Sequence, residues 1–228
     1  MVIRITGLTK QYGSIRALDR VSFDVRPGEV LGVIGPNGSG KTTLFECIGG
    51  VLPFDDGRIE SESQSLFYLP DGIGPWPAQT VSWALRYIEG YFGAPAGMRD
   101  ALIAALSLEP LLNKRIGHLS KGQRKRALLA IGLLTSRQVL FADEPFDGLD
   151  LRQTREVAQA LRSFTRDGRT LVLSIHQIAD AARVCDRFVL LSGGTIRGAG
   201  TLPELIALAS ERQQASIAGL EEAFLALT

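Results

Sequence analysis

A glycine-rich stretch directly after a short apolar run constrains the fold of this chain more than any other feature. The run Val30–Ile34 is apolar throughout, as is typical of a strand buried on both faces of a parallel sheet. The next eight residues match the pattern GxxxxGK[ST], and a helix is predicted to begin near its lysine. These residues are Gly35, Pro36, Asn37, Gly38, Ser39, Gly40, Lys41 and Thr42. Strand, loop and helix in this order predict a phosphate-binding loop in an α/β domain.

Each part of this loop has a physical role in holding a triphosphate. Glycines let backbone N–H groups converge on the β-phosphate, and the following helix offers its positive N-terminal end. We expect Lys41 to reach the β- and γ-phosphate oxygens and the Thr42 hydroxyl to bind Mg²⁺. Thr43, the next residue, is included among the expected nucleotide contacts. The alternative is a glycine-rich turn without a ligand.

Two carboxylates end a second apolar run. Val139–Ala142 is predicted to be a strand, and Asp143 and Glu144 follow it directly. An aspartate at the carboxyl edge of a parallel strand, facing the phosphate-binding loop, is suited to the coordination sphere of Mg²⁺. At the frayed strand end, Glu144 can turn toward the γ-phosphate and act as general base on the attacking water. The alternative is a solvated acidic turn before Pro145.

The remaining pattern predicts one domain over residues 1–228. Its α/β core, residues 1–71 and 136–228, is expected to hold a parallel sheet with an N-terminal antiparallel β part. An α-helical subdomain is predicted as an insertion over residues 72–135. Further strands are predicted over residues 2–6, 21–25, 65–69 and 171–175, with a hairpin over 187–200. The tail from Pro203 is predicted to be helical, with an apolar stripe of Leu220, Phe224 and Leu225 packed on its own domain.

Charge gives no reason to expect nucleic acid or anionic lipid as a partner. The net charge is +1 and the sequence pI is about 7.8, so no general electrostatic attraction to either is implied. One basic cluster is predicted to be a solvated helix face. Its members are Lys121, Arg124, Lys125 and Arg126.

Cysteine usage and hydropathy favour a soluble cytoplasmic protein. Cys47 and Cys185 stand alone, which argues against a disulfide scaffold or a zinc site and fits a reducing cytosol. The first residues lack the apolar segment of a signal peptide. No uncharged apolar run approaches the roughly 20 residues that a membrane helix needs. We therefore expect any contact with a membrane to pass through a partner protein.

A further motif resembles a family signature. Leu119–Gln123 reads Leu-Ser-Lys-Gly-Gln and is similar to the Leu-Ser-Gly-Gly-Gln signature of ATP-binding cassette (ABC) ATPases. The chain resembles this family over nearly its whole length. In the family the signature opens a helix and contacts the γ-phosphate bound by the opposite subunit. The resemblance implies that role for Ser120, Lys121, Gly122 and Gln123. Lys121 replaces a glycine, which is tolerable if its φ is negative and its side chain faces outward.

Three other segments are similar to elements of the same family. Gly148-Leu149-Asp150 resembles the D-loop at the subunit interface. His176, which follows a predicted buried strand, resembles the switch histidine that contacts the γ-phosphate and positions Glu144 and water. Tyr12 resembles the aromatic residue that stacks on adenine ahead of the phosphate-binding loop. A structural histidine and a core or loop tyrosine are the alternatives for the last two.

One position departs from the family pattern. The family places a glutamine after the strand that ends at Leu69-Pro70, whereas this chain has Asp71-Gly72. Asp-Gly is simply good turn chemistry. Alternatively, the Asp71 carboxylate ligates Mg²⁺ directly or through water, and adds negative charge near the triphosphate. In relatives this loop couples the ATPase to its membrane partner, so the departure puts coupling in doubt rather than hydrolysis.

The resemblance implies an ATPase with ATP and Mg²⁺ as ligands and two kinds of protein partner. One is a second ABC ATPase subunit, which we expect to be an identical chain. The other is a separate transmembrane permease, and the tail segment Gly219–Phe224 is similar to those of stand-alone exporter cassettes. A non-transport ABC ATPase that acts on nucleic acid or the ribosome is the alternative. A nucleotide-gated binding module that hardly hydrolyses ATP is a third possibility, and the presence of Glu144 and His176 weighs against it.

Overall fold

The computed structural model describes residues 3–61, 66–166, 168–214 and 216–228. Within those ranges the chain forms nine strands and eight α-helices. The strands are β1 (Ile3–Tyr12), β2 (Ile15–Val25), β3 (Val30–Ile34), β4 (Asp56–Glu60), β5 (Leu66–Leu69), β6 (Val139–Asp143), β7 (Thr170–Ile175), β8 (Arg187–Ser192) and β9 (Thr195–Gly200). The helices are α1 (Lys41–Ile48), α2 (Val81–Phe92), α3 (Met98–Ala105), α4 (Lys121–Leu134), α5 (Leu151–Arg166), α6 (Ile178–Val184), α7 (Leu202–Gln213) and α8 (Leu220–Leu227).

Two sheets organise the fold. The larger has strand order β5-β6-β7-β3-β8-β9, in which only the β8–β9 pair is antiparallel. The smaller is antiparallel with order β2-β1-β4. The carboxyl ends of β3, β6 and β7 therefore lie at one edge of the parallel sheet, where ligands bind in such folds. This architecture confirms the predicted α/β core, its N-terminal antiparallel part and the helical insertion as a fold class.

The sequence-based boundaries differ from these strands most in the N-terminal part of the chain. Strand β4 was not predicted, because its residues are mostly exposed and polar and show no apolar alternation. Strands β1 and β2 are longer than predicted and continue to the tight turn between Tyr12 and Ile15. Residues 2 and 65, predicted as strand ends, lie outside the described residues.

Apolar clusters cover the parallel sheet on both faces. On one face Leu31, Leu44 and Phe45 pack with the antiparallel sheet and α1. On the other face a larger cluster joins the sheet to α2–α8 and includes Leu85 and Leu129. The helices α2–α4 therefore share a continuous core with the sheet that carries the phosphate-binding loop, which fixes α4 relative to that loop.

The prediction that the basic cluster is exposed to solvent is wrong for two of its four residues. Lys125 and Arg126 retain only 8% and 7% of their surface exposure. The Arg126 guanidinium donates hydrogen bonds to the carbonyl oxygens of Leu106 (2.8 Å) and Ser107 (3.2 Å) at the end of α3. Lys125 pairs with Asp71. Both cations are buried because each has acceptors on a distant segment that periodicity does not reveal.

The C-terminal helices pack on the domain, but with a stripe that differs from the predicted one. Leu220, Ala223 and Leu227 are buried, whereas Leu225 is 70% exposed. The prediction for Leu225 is therefore wrong, because spacings of three and seven residues from Leu220 select Ala223 and Leu227. No helix among the described residues combines the length and the apolarity needed to cross a bilayer.

Candidate functional site

The glycine-rich loop connects β3 to α1, as predicted. Gly40 occupies the N-cap of α1 with φ 104°, in the left-handed region that favours glycine. A Cβ atom at Gly40 would lie 2.5 Å from the Ala17 carbonyl oxygen, and one at Gly35 would lie 2.2 Å from that of Leu191. Side chains at these two positions would force the backbone apart. The loop's tight path therefore requires its first and last glycines.

The Lys41 ammonium lies under this loop. Its Nζ donates hydrogen bonds to the carbonyl oxygens of Gly35 (2.8 Å) and Pro36 (3.2 Å). The side chain is only 5% exposed, and its Nζ is 3.6 Å from a carboxylate oxygen of Glu144. Because these partners hold the amine at the loop, it is placed to compensate negative charge bound there.

A hydrogen-bond network links Thr42, Asp143 and Ser174. The Thr42 hydroxyl donates to Oδ2 of Asp143 at 2.9 Å, and the Ser174 hydroxyl donates to Oδ1 of the same carboxylate. Ser174 also accepts a hydrogen bond of 2.9 Å from the backbone N–H of Glu144. The network brings the two predicted Mg²⁺ ligands of the core together. Ser174 was not singled out from the sequence, because a lone serine within an apolar strand carries no distinctive pattern.

Glu144 and His176 meet at the same edge of the sheet. Glu144 has a positive φ of 50°, an unusual backbone conformation for a residue that is not glycine. That turn directs its side chain away from the strand, where Oε2 contacts Nδ1 of His176. The carboxylate is 15% exposed and the imidazole 32%. The turned-out carboxylate thus has a histidine on one side and the Lys41 amine on the other.

Several features fit a bound nucleoside triphosphate and its cation. A cavity of about 210 Å³ is lined by Asn37, Gly38, Gly40–Thr43 and Glu144, together with Ala17. The hydroxyl of Ser39 in the loop is buried and has no hydrogen-bond partner among the described residues, and Ser39 does not line this cavity. Thr42 and Asp143 offer hard oxygen ligands to Mg²⁺. No cluster of three or more His, Cys, Asp or Glu side chains that could hold a metal ion lies within the described ranges.

The predicted signature segment opens α4. Ser120 is the N-cap, with φ −62° and ψ 164°, and its hydroxyl accepts from the backbone N–H of Gln123 at 3.3 Å. The Gln123 side chain in turn accepts from the Ser120 N–H at 3.2 Å. This capping box fixes the first turn of the helix. The exposed end of α4 therefore presents a serine hydroxyl at a positive helix terminus.

The two residues after Ser120 contact the loop that follows Glu144. Lys121 Nζ and Asp147 Oδ2 are 2.5 Å apart. This hydrogen bond lowers the pKa of Asp147 and raises that of Lys121. A Cβ atom at Gly122 would lie 2.7 Å from the Gly148 carbonyl oxygen, so only glycine allows this approach. The lysine that departs from the family signature is thus accommodated by an acidic partner.

The remaining predicted residues lie on three other segments. Tyr12, at the end of β1, is 46% exposed, and the Lys10 amine lies 5.6 Å from its ring centroid. Asp71 follows β5 and pairs with Lys125 of α4. Asp150 accepts a hydrogen bond of 2.8 Å from the Gln153 N–H at the start of α5. Neither of these ion pairs could be recognised from the sequence. Asp147 lies 26 positions from Lys121, and Lys125 lies 54 positions from Asp71.

Comparison with known protein families agrees with the resemblance to ABC ATPases. The family model described as ABC transporter matches residues 18–147. The chain is 32% identical over 201 residues to an uncharacterized ABC transporter ATP-binding protein of Methanocaldococcus jannaschii, covering 84% of this chain and 74% of the relative. It is also 32% identical over 219 residues to the Nod factor export ATP-binding protein I of Rhizobium etli, covering 90% and 69%.

A relative whose name describes an importer, and a solved structure, also match this chain. The phosphonates import ATP-binding protein PhnC 1 of Natronomonas pharaonis is 34% identical over 221 residues, covering 86% of this chain and 91% of the relative. The solved structure of an ATP-binding subunit of an ABC transporter has a TM-score of 0.87 at 25% identity. That match covers 100% of this chain and 99% of the other. The chain therefore belongs to the ABC transporter family, as an ATP-binding subunit and an ATPase.

Proposed function

We propose that two copies of this chain close around two MgATP molecules. Each ATP would lie between the glycine-rich loop of one copy and Ser120–Gln123 of the other. The observation that carries this proposal is the lining of the cavity at the loop. Among the described residues, that lining includes the loop and Glu144 but no residue of the signature. The signature serine instead caps a separate helix, so a second copy is needed to bring it to the γ-phosphate.

Within each site, different residues of the chain have different roles in ATP hydrolysis. The Lys41 amine and the loop N–H groups compensate charge on the β- and γ-phosphates. Thr42 and Asp143 would hold Mg²⁺, whose contribution is to neutralise charge that develops on the phosphate oxygens. Glu144 accepts a proton from the attacking water, while His176 orients that carboxylate. Closure supplies the last γ-phosphate contacts, so ATP favours association and its loss favours release.

The dimer is proposed to act from the cytoplasmic face of a membrane, on a separate permease with its own membrane helices. We propose export as the direction, on the similarity of Gly219–Phe224 to the tails of stand-alone exporter cassettes. The test is to produce the chain with and without a polytopic membrane protein encoded beside it. The chain should sediment with membranes, and its ATPase rate should change, only with that protein. A chain that remains in the soluble fraction with an unaltered ATPase rate contradicts this part of the proposal.

Tyr12 is proposed to stack on the adenine ring, as its exposure allows. Replacing Tyr12 by alanine should weaken MgATP binding about tenfold, because the stacking of a base on an aromatic ring contributes about 1–3 kcal/mol. Titration calorimetry measures the change. Tyr12→Phe retains the ring and should bind within about twofold of the wild type. Equal affinity of the alanine and phenylalanine variants would exclude the stacking role.

A further inference from the structure

Asp71 and Lys125 form a cross-element pair beside the proposed Mg²⁺ site. Asp71 lies two residues after β5, whose neighbour in the sheet is β6, the strand that ends at Asp143. The Lys125 amine reaches over from α4 and contacts Oδ1 of Asp71. The same amine lies 3.5 Å from the backbone carbonyl oxygen of Asp143. Lys125 therefore bridges the loop after β5 and the strand end that carries the bond to Thr42.

The two side chains of this pair differ in their exposure to solvent. The Lys125 side chain is 9% exposed and the Asp71 side chain is 38% exposed. A buried ammonium without a partner costs several kcal/mol, so Lys125 depends on Asp71. The Asp71 carboxylate is partly exposed and can instead be solvated by water.

Asp71 lies beside a cavity that extends to the strand end at Asp143. Asp71, Lys125 and Asp143 line one cavity of about 230 Å³ between the sheet edge and α4. The other carboxylates at this edge are already engaged. Asp143 accepts bonds from Thr42 and Ser174, and Glu144 contacts His176 and lies near Lys41. Lys125 is thus the amine that compensates Asp71.

We propose that Lys125 is a positioning residue that holds the Asp71 carboxylate on α4 and keeps it out of the coordination sphere of Mg²⁺. The inference rests on the proposed metal site at Thr42 and Asp143. Asp71 would then act as a Mg²⁺ ligand, the role predicted from the sequence, only when Lys125 is displaced from it. Without the lysine, Asp71 adds a negative charge beside the triphosphate and an oxygen ligand for the cation. The free nucleotide would then bind less tightly, and binding would depend more on Mg²⁺.

The test compares nucleotide affinity with and without the cation. Calorimetry with the non-hydrolysable analogue adenylyl imidodiphosphate is performed in Mg²⁺ and in EDTA, and the ratio of Kd in EDTA to Kd in Mg²⁺ is taken. Lys125→Met should raise this ratio about tenfold over the wild type. The double variant Asp71→Asn with Lys125→Met should return the ratio to within about twofold of the wild type, because no carboxylate is freed.

A matched control removes a different cation from the same cavity. Arg124 precedes Lys125 on α4 and lines that cavity, so Arg124→Gln should leave the ratio unchanged. If Lys125→Met does not fold, Lys125→Ala serves instead, since it also removes the amine that contacts Asp71. An unchanged ratio in the folded Lys125 variant would overturn the positioning role and leave a purely structural ion pair. Failure of the wild type to bind the analogue would contradict the proposed nucleotide site instead.

Discussion

Replacing Glu144 by glutamine is expected to lower the rate of phosphate release about 10³-fold, within the range of general-base catalysis. Glutamine has nearly the same shape and its amide oxygen can still accept from His176, but it cannot take a proton from water. The variant should therefore bind MgATP and remain in the closed pair. Phosphate release and light scattering in MgATP measure the two effects, with slow turnover and an accumulated dimer expected together.

Glu211→Gln is the control for this change. Glu211 lies exposed on α7, outside the site, so the same chemical change there should leave turnover and association as in the wild type. Phosphate release by Glu144→Gln at the wild-type rate would refute the assignment of Glu144 as the base. A normal rate would leave the unusual backbone turn at Glu144 without a catalytic explanation.

The second large effect is expected at Lys41. Lys41→Met keeps the apolar stem and removes an ammonium that is held at the loop by two carbonyl oxygens. Losing one or two charge-assisted bonds to phosphate should cost about 3 kcal/mol, or about 10²-fold in MgATP affinity. Titration calorimetry measures the affinity, and circular dichroism verifies that the variant is folded.

Lys114→Met is a suitable control, because Lys114 is exposed in the segment before α4. Its MgATP affinity should equal that of the wild type. If folded Lys41→Met bound MgATP within about threefold of the wild type, the Lys41 amine would not be the main charge on the phosphates. The loop N–H groups and α1 would then carry the binding.

The parts of the site that were predictable from sequence are contiguous stretches. Gly35–Thr42 is recognisable because strand, loop and helix follow one another along the chain and the whole GxxxxGK[ST] pattern lies within eight residues. Asp143 and Glu144 end an apolar run for a similarly local reason. Ser120 and Gln123 form a capping box, which is a pattern of spacing three.

The parts that were not predictable depend on contacts between distant segments. A lysine on a helix is usually exposed to solvent, and the sequence around Lys125 gives no sign of burial. Lys125 meets Asp71 only because the fold packs α4 beside the loop that follows β5. Lys121 gains Asp147 in the same way. The strand β4 was missed because its exposed polar residues pair through the backbone with β1, and backbone pairing leaves no trace in hydropathy.

The measurement that tests the shared site most directly mixes two inactive variants. Ser120→Arg blocks the signature in both sites of a homodimer, and Lys41→Met removes the loop amine from both. In a heterodimer one site has both changes and the other has neither. An equimolar mixture forms heterodimers in half of its pairs, with one of two sites intact. We expect it to regain about a quarter of the wild-type ATPase rate. A mixture no more active than the two variants measured separately, with both folded, would contradict a site built from two copies.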